Sequence, residues 1–232
     1  MTISEMHHLF RTIGQAKGLQ LVRAVLPESI DDYLNAAIME KCRSVLIQNT
    51  STAFPDKTTN RDNPTSPYNA LRTLFKTKIL NVVKQGFSKN FSAIDATNKS
   101  SVLAYLSVST RYDKTITNGD TIIITEEGNS YPCRIIEPDK ISYILNDFCS
   151  KPSKEYPCCT IESSTNNSVE FKIYTNDNET PKVVISYIAT PNKVNHSAAI
   201  DCDLPDYLHS EIVEIAVNKY FQSVGSTTKQ VN

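Results

Sequence analysis

The chain is 232 residues long, 40% apolar and 21% charged, with a net charge of −1, the profile of a water-soluble globular protein of one large domain or two small ones. No apolar run approaches the roughly 20 residues of a membrane-spanning helix. Met1–Phe10 carries Glu5, His7 and His8 where a secretion signal would have a basic start and an apolar core, so neither membrane insertion nor export is expected.

The first element is a short helix over Ser4–Ile13, with Ser4 as cap and Met6, Leu9, Phe10 and Ile13 on one side. His7 and His8, at its start, are expected to be exposed. Gly14 and Gly18 bracket a break. A second helix begins near Pro27 or Ser29, where Ile30, Leu34, Ala37, Ile38, Cys42, Val45 and Leu46 keep the helical period. Asp31 and Asp32 sit in its first turn, where the helix dipole favours acids. Residues 49–67 form a polar tract rich in Pro, Thr and Asn, with no periodicity, read as a surface loop or a segment that orders against a partner.

Tyr68–Val83 is expected to be a third helix, lined on one side by Leu71, Leu74, Phe75, Ile79, Val82 and Val83. Between Tyr68 and Asn90 lie Arg72, Lys76, Lys78, Lys84 and Lys89, and no acid. Such a basic stretch is either a solvated face or one that meets phosphates or an acidic partner; Arg72, Lys76, Lys84 and Lys89 are its candidates. Past residue 92 the pattern turns to short strands: Val102–Ser109, Thr121–Thr125 after an Asn118-Gly119-Asp120 turn, and Tyr131–Ile136. A helix opens at Pro138, with Ile141, Ile144, Leu145 and Phe148 on one side. Val169–Tyr174 and Val183–Ile188 read as an antiparallel pair.

The closing helix spans Asp203–Val224, with Pro205 at a first helical position. Its apolar residues sweep well over half the circumference, more than the roughly 100° stripe of a surface helix. It is therefore expected to pack on two sides, once in its own domain and once on a neighbour; Tyr207, His209, Ile212, Val213, Val217 and Tyr220 are the candidate subunit contacts. The fold class is α+β: N-terminal helices, a mainly antiparallel sheet of about five strands with an inserted helix, and a C-terminal closing helix. The divisions expected are a helical region 1–91, a β-rich region 92–200 and the C-terminal helix 201–232, packing back on the helical region and on neighbouring subunits.

No phosphate-binding, dinucleotide, metalloprotease or nucleophile-elbow motif occurs. The six cysteines form no C-x-x-C pair, and in a chain that is not exported they read as reduced packing residues. His196 lies in a polar loop without an evident partner; His209 projects into the apolar arc of the closing helix. No residue is nominated as a nucleophile beside either. The clustered acids Asp201, Asp203 and Asp206 are explained by a helix start. The charge is uneven, however: residues 1–100 hold 13 Lys/Arg against 8 Asp/Glu, whereas residues 101–232 hold 11 against 17. Such halves can face one another in neighbouring copies.

Three segments, LPESIDDYLNAAI (Leu26–Ile38), ILNDFCSKP (Ile144–Pro152) and LPDYLHSEIVEIAV (Leu204–Val217), together resemble the connector (adaptor or ring) proteins that join portal to tail in tailed bacteriophages, most closely those of the short-tailed crAss-like phages of gut Bacteroidales. They cover about a sixth of the chain. Cys149 departs from the family's pattern, which would place a proline-containing turn there. The resemblance implies a structural virion protein of the neck or tail, assembled in the bacterial host cytoplasm. It would be no enzyme and would hold no cofactor, metal or membrane contact. Its partners would be itself, in a ring of about a dozen copies, the portal, adjacent ring or tail proteins, and the packaged DNA that passes through the ring on ejection. The alternatives are an enzyme with an unrecognised site and a non-specific nucleic-acid-binding module centred on residues 68–90.

Overall fold

The structure, a computed structural model, describes residues 1–18, 25–51, 67–84, 90–95, 101–118, 122–126, 128–163 and 168–227. It contains helices α1 (Ile3–Ala16), α2 (Pro27–Ser51), α3 (Ile141–Asn146) and α4 (His209–Thr227), and eleven strands among the described residues. The class is α+β, as the sequence pattern implies. The chain divides into two compact units, one made of Met1–Leu74 and Pro191–Asn232 and the other of Phe75–Thr190. The β-rich unit begins at residue 75 rather than 92, and the closing helix lies in the same unit as α1 and α2.

In the helical unit, α1 starts two residues earlier than a cap at Ser4 would place it. Thr2 is the N-cap, and with Glu5 it closes a capping box: Thr2 N–H donates to the Glu5 carboxylate at 2.8 Å, and Glu5 N–H to Thr2 Oγ1 at 3.4 Å. Gly14 is no break but a buried helical residue; the stop is at Gly18, whose φ of +86° suits a residue without Cβ. Along α2, Ile30, Leu34, Ala37, Ile38, Cys42 and Val45 are buried at the expected period. Pro205 caps a short 3₁₀ turn, Asp206–Leu208, from which α4 starts. The closing helix thus begins later than expected, packs on α1 and α2, and buries Leu208, His209, Ile212, Val213, Ala216 and Val217 between them. Burying each aliphatic side chain is worth about 1.5–3 kcal/mol, so this face anchors the unit.

The other unit is a two-layer sandwich. One sheet runs β1 (Phe75–Asn81), β11 (Lys182–Ala189), β4 (Val102–Arg111), β7 (Ser130–Pro132), all antiparallel. The other runs β2 (Val83–Lys84), β3 (Asn90–Asp95), β10 (Val169–Tyr174), β9 (Cys158–Ser163), β8 (Arg134–Ile135), with only β8 and β9 parallel. Residues alternating inward from both layers, among them Leu80, Phe91, Val108, Phe171, Ile173, Val183 and Ile185, form one core. Strands β5 (Lys114–Asn118) and β6 (Ile122–Glu126) pair only with each other, as a separate ribbon.

Three expectations change here. Tyr68–Val83 is not a helix: Pro67–Leu74 is a 3₁₀ segment, and the chain then extends into β1 and β2. Its apolar spacing fits either period, and Thr73, Thr77, Ile79, Val82 and Val83 bias it to extended backbone. The strands at 169–174 and 182–189 exist but belong to different layers, so they do not pair with each other. Among the described residues the region also holds two packed sheets and a separate two-stranded ribbon rather than one sheet. The polar tract keeps only its ends in view, since 49–51 complete α2 and 67 starts the 3₁₀ segment; 52–66 lie outside the described residues.

Candidate functional site

The helical unit holds a buried cluster of His and Asp side chains. His7, expected to be exposed, is 4% exposed. It sits on the inward side of α1 with Met6 and Phe10, and its Nε2 lies 2.8 Å from Asp31 Oδ1 on α2. The second Asp31 oxygen accepts the backbone N–H of His196 at 2.9 Å. The two imidazoles stack, with centroids 4.5 Å apart and planes at 21°. Burial, together with the nearby charges of His196 and Arg11, outweighs the pull of Asp31 and holds the His7 pKa below its ordinary value. A second tie beside it does not titrate: Asn35 accepts from Val194 N–H at 2.8 Å and donates to the Val194 carbonyl at 3.1 Å.

His209 is 1% exposed. Its Nε2 donates to the Leu204 carbonyl at 2.8 Å, closing the turn before α4, and its Nδ1 lies 3.5 Å from Asp206. Among the described residues no serine, threonine or cysteine side chain bonds to His7, His196 or His209, and no group of His, Cys, Asp and Glu is arranged to hold a metal ion. The cysteines are free thiols. Burial pushes Cys42 up to about 11 and Cys133 up to about 12, far from the thiolate a nucleophile needs.

The expected basic face takes another form. Arg72 is exposed in the 3₁₀ segment of the helical unit, whereas Lys76 and Lys84 are exposed on the edge strands β1 and β2 of the sandwich. Lys78 is engaged at 2.7 Å with the wholly buried Asp95. Lys89 lies outside the described residues. These bases therefore form no helical stripe. Of the expected subunit contacts, Tyr207 is 65% exposed and Tyr220 is half-buried, its ring against Phe10 and Tyr33. His209, Ile212, Val213 and Val217 are interior. The wide apolar arc of α4 meets two neighbours in its own unit, α1 and α2.

The exposed apolar surface lies elsewhere. Helix α3 buries none of its residues, although its pattern suggests a packed side. Phe148, just past its end, is 96% exposed; Tyr143 and Tyr156 are exposed too, with Ile135 beside them in sequence on the edge strand β8. In the helical unit an open groove of about 720 Å³ is lined by Val25 and Leu26 just before α2, by Ser29, Asp32, Tyr33 and Ala36 of its start and by Tyr220 of α4. The sequence held a signal for both features: they fall in or beside the three segments quoted above. The aromatic surface is the one that helical periodicity misread as core.

No model of a known protein family matches the chain, and no curated protein matches it significantly.

Proposed function

We propose that this chain is a structural subunit of an oligomeric ring, of the kind that connects a phage portal to its tail and surrounds the DNA channel. The observation that carries this reading is the set of exposed apolar side chains Ile135, Tyr143, Phe148 and Tyr156, above all Phe148 standing almost entirely in solvent. Large exposed apolar patches mark sites of protein association. The polar interiors favour the same reading, since their histidines are spent on backbone and carboxylate partners rather than aimed at a substrate. The exposed Arg72, Lys76 and Lys84 suit weak, sequence-blind contact with passing DNA, which a sliding channel requires.

The test is the mass of the full chain by sedimentation and its outline by negative-stain imaging, alone and mixed with a portal ring. Closed rings of about a dozen copies, free or seated on the portal, are expected. A chain that stays a single copy in both settings overturns the reading. So does turnover of a substrate that is lost on substituting His209 in a protein that remains folded.

A further inference from the structure

We propose that Phe148 of one copy docks in the groove between the start of α2 and Tyr220 of the next copy, so that successive subunits join as knob and hole. The proposal rests on the ring reading and deepens it by naming the contact.

The groove and the knob are otherwise unexplained features of the same chain. Phe148 contributes nothing to the sandwich core at 96% exposure, and Leu26, at the mouth of the groove, is 65% exposed. Aromatic side chains bury about 150–250 Å² each and dominate the energetics of interfaces, and a pocket of several hundred Å³ is the size that receives them. Tyr33 and Tyr220 meet edge to face inside the helical unit, with centroids 5.4 Å apart. They thus offer ring faces and edges to a third aromatic.

Charge selects the occupant. Asp32 lines the groove and is exposed, and it is in no ion pair among the described residues. Lys151, three residues beyond Phe148, is exposed and equally unpaired. A copy of this chain therefore brings a base to an acidic rim together with an aromatic for the apolar floor. Because knob and hole are different surfaces, the contact is heterologous, and each added copy leaves one knob and one hole free. Repeated, it closes into a ring if the rotation permits.

This asymmetry gives the experiment. Phe148→Ser removes the knob and Ala36→Trp fills the groove; both positions are exposed, so both full-length variants keep the fold, checked by circular dichroism and melting. Each variant alone should self-associate about tenfold or more weakly than the parent by sedimentation. Mixed one to one, they share a single intact interface, so two-chain complexes should form and larger ones should not. A mixture that stays monomeric, or a variant that assembles as the parent does, overturns the knob-and-hole contact. The second result leaves the ring reading standing on other surfaces. A parent chain that never self-associates, alone or on a portal, overturns both. As an independent arm, Asp32→Lys and Lys151→Glu should each weaken association, and the double variant should restore it; a double variant weaker than either single one counts against the pairing.

Discussion

Asp31 shows how much one side chain can organise. It sits in the second turn of α2, past the first turn in which the sequence pattern puts it, and its carboxylate points inward and accepts from both His7 and the backbone of His196. Asp31→Ala leaves two buried donors unpaired, which costs about 1–3 kcal/mol for each. Urea denaturation should show a loss of that size, while Asp32→Ala, on the exposed side, should change little. The same cluster makes stability depend on pH. In the unfolded chain His7 takes up a proton near its ordinary value of about 6.5, whereas in the folded unit burial delays protonation to lower pH. Between those points the unfolded state holds more protons. Stability is therefore complete above about pH 6.5 and is lost as the pH falls towards the folded value. His7→Gln should flatten the slope; an unchanged slope would place the titration elsewhere. None of this was legible in sequence. His7 is polar and near a helix start, and only the turn of α1 onto α2 shows that its side is the inner one.

At the scale of elements, what was readable was periodicity sustained over several turns. α1 and α2 follow their apolar spacing to within a turn at their starts, whereas α4 starts at His209, after a 3₁₀ turn, and not at Asp203. The short apolar runs were ambiguous: FKTKIL fits a helix or a strand until β11 supplies a partner, Phe75 opposite Ile188 through Asn81 opposite Lys182. The excess width of α4's apolar arc pointed to one side in its own domain and one on a neighbour, and in the structure α1 and α2 of the same unit meet both. Sequence alone could not say that both sides are intramolecular. The β5–β6 ribbon depends on a feature that only structure reveals, the closeness of its two ends. Tyr112 N–H donates to the Asn129 carbonyl at 3.3 Å, Asp113 is held by Arg111 at 2.8 Å and Lys182 at 2.7 Å, and Lys154 lies over the Tyr112 ring. A Cβ on Gly128 would come within 1.3 Å of the Tyr112 carbonyl oxygen. No rotamer relieves a backbone clash of that kind. Gly128→Ala should therefore displace the ribbon's root and cost at least about 1–3 kcal/mol, with faster proteolysis between Tyr112 and Asn129 as the local readout. An alanine variant that melts with the parent and is cut no faster would show that the two strands can part freely.

For the whole molecule, the decisive fact is that one unit interrupts the other. The sandwich is a continuous stretch, Phe75–Thr190, whereas the helical unit is assembled from the chain on either side of it. The entry and exit points are neighbours, since β1 and β11 are adjacent antiparallel strands with Phe75 paired to Ile188. Leu74 is one peptide bond from Phe75 and Pro191 three from Ile188, so at most about 3.8 Å and about 11 Å further along the chain. An inserted segment of ordinary domain length, with adjacent ends and its own core, meets the conditions for folding alone. Expressed by itself, residues 75–190 should give a β-type circular dichroism spectrum and a cooperative melt. The helical unit, with those residues replaced by a short Gly/Ser linker, should remain helical. If the excised sandwich is unfolded, the two units are one cooperative block and the division is only geometrical. If it folds, it also becomes a reagent. It carries Phe148 but lacks the groove, so it should occupy the groove of an intact copy and stop growth there. Excess sandwich should then cut the ring population of the parent chain, and the Phe148→Ser form of the same fragment should not. Equal inhibition by both fragments would mean that the sandwich competes through another surface.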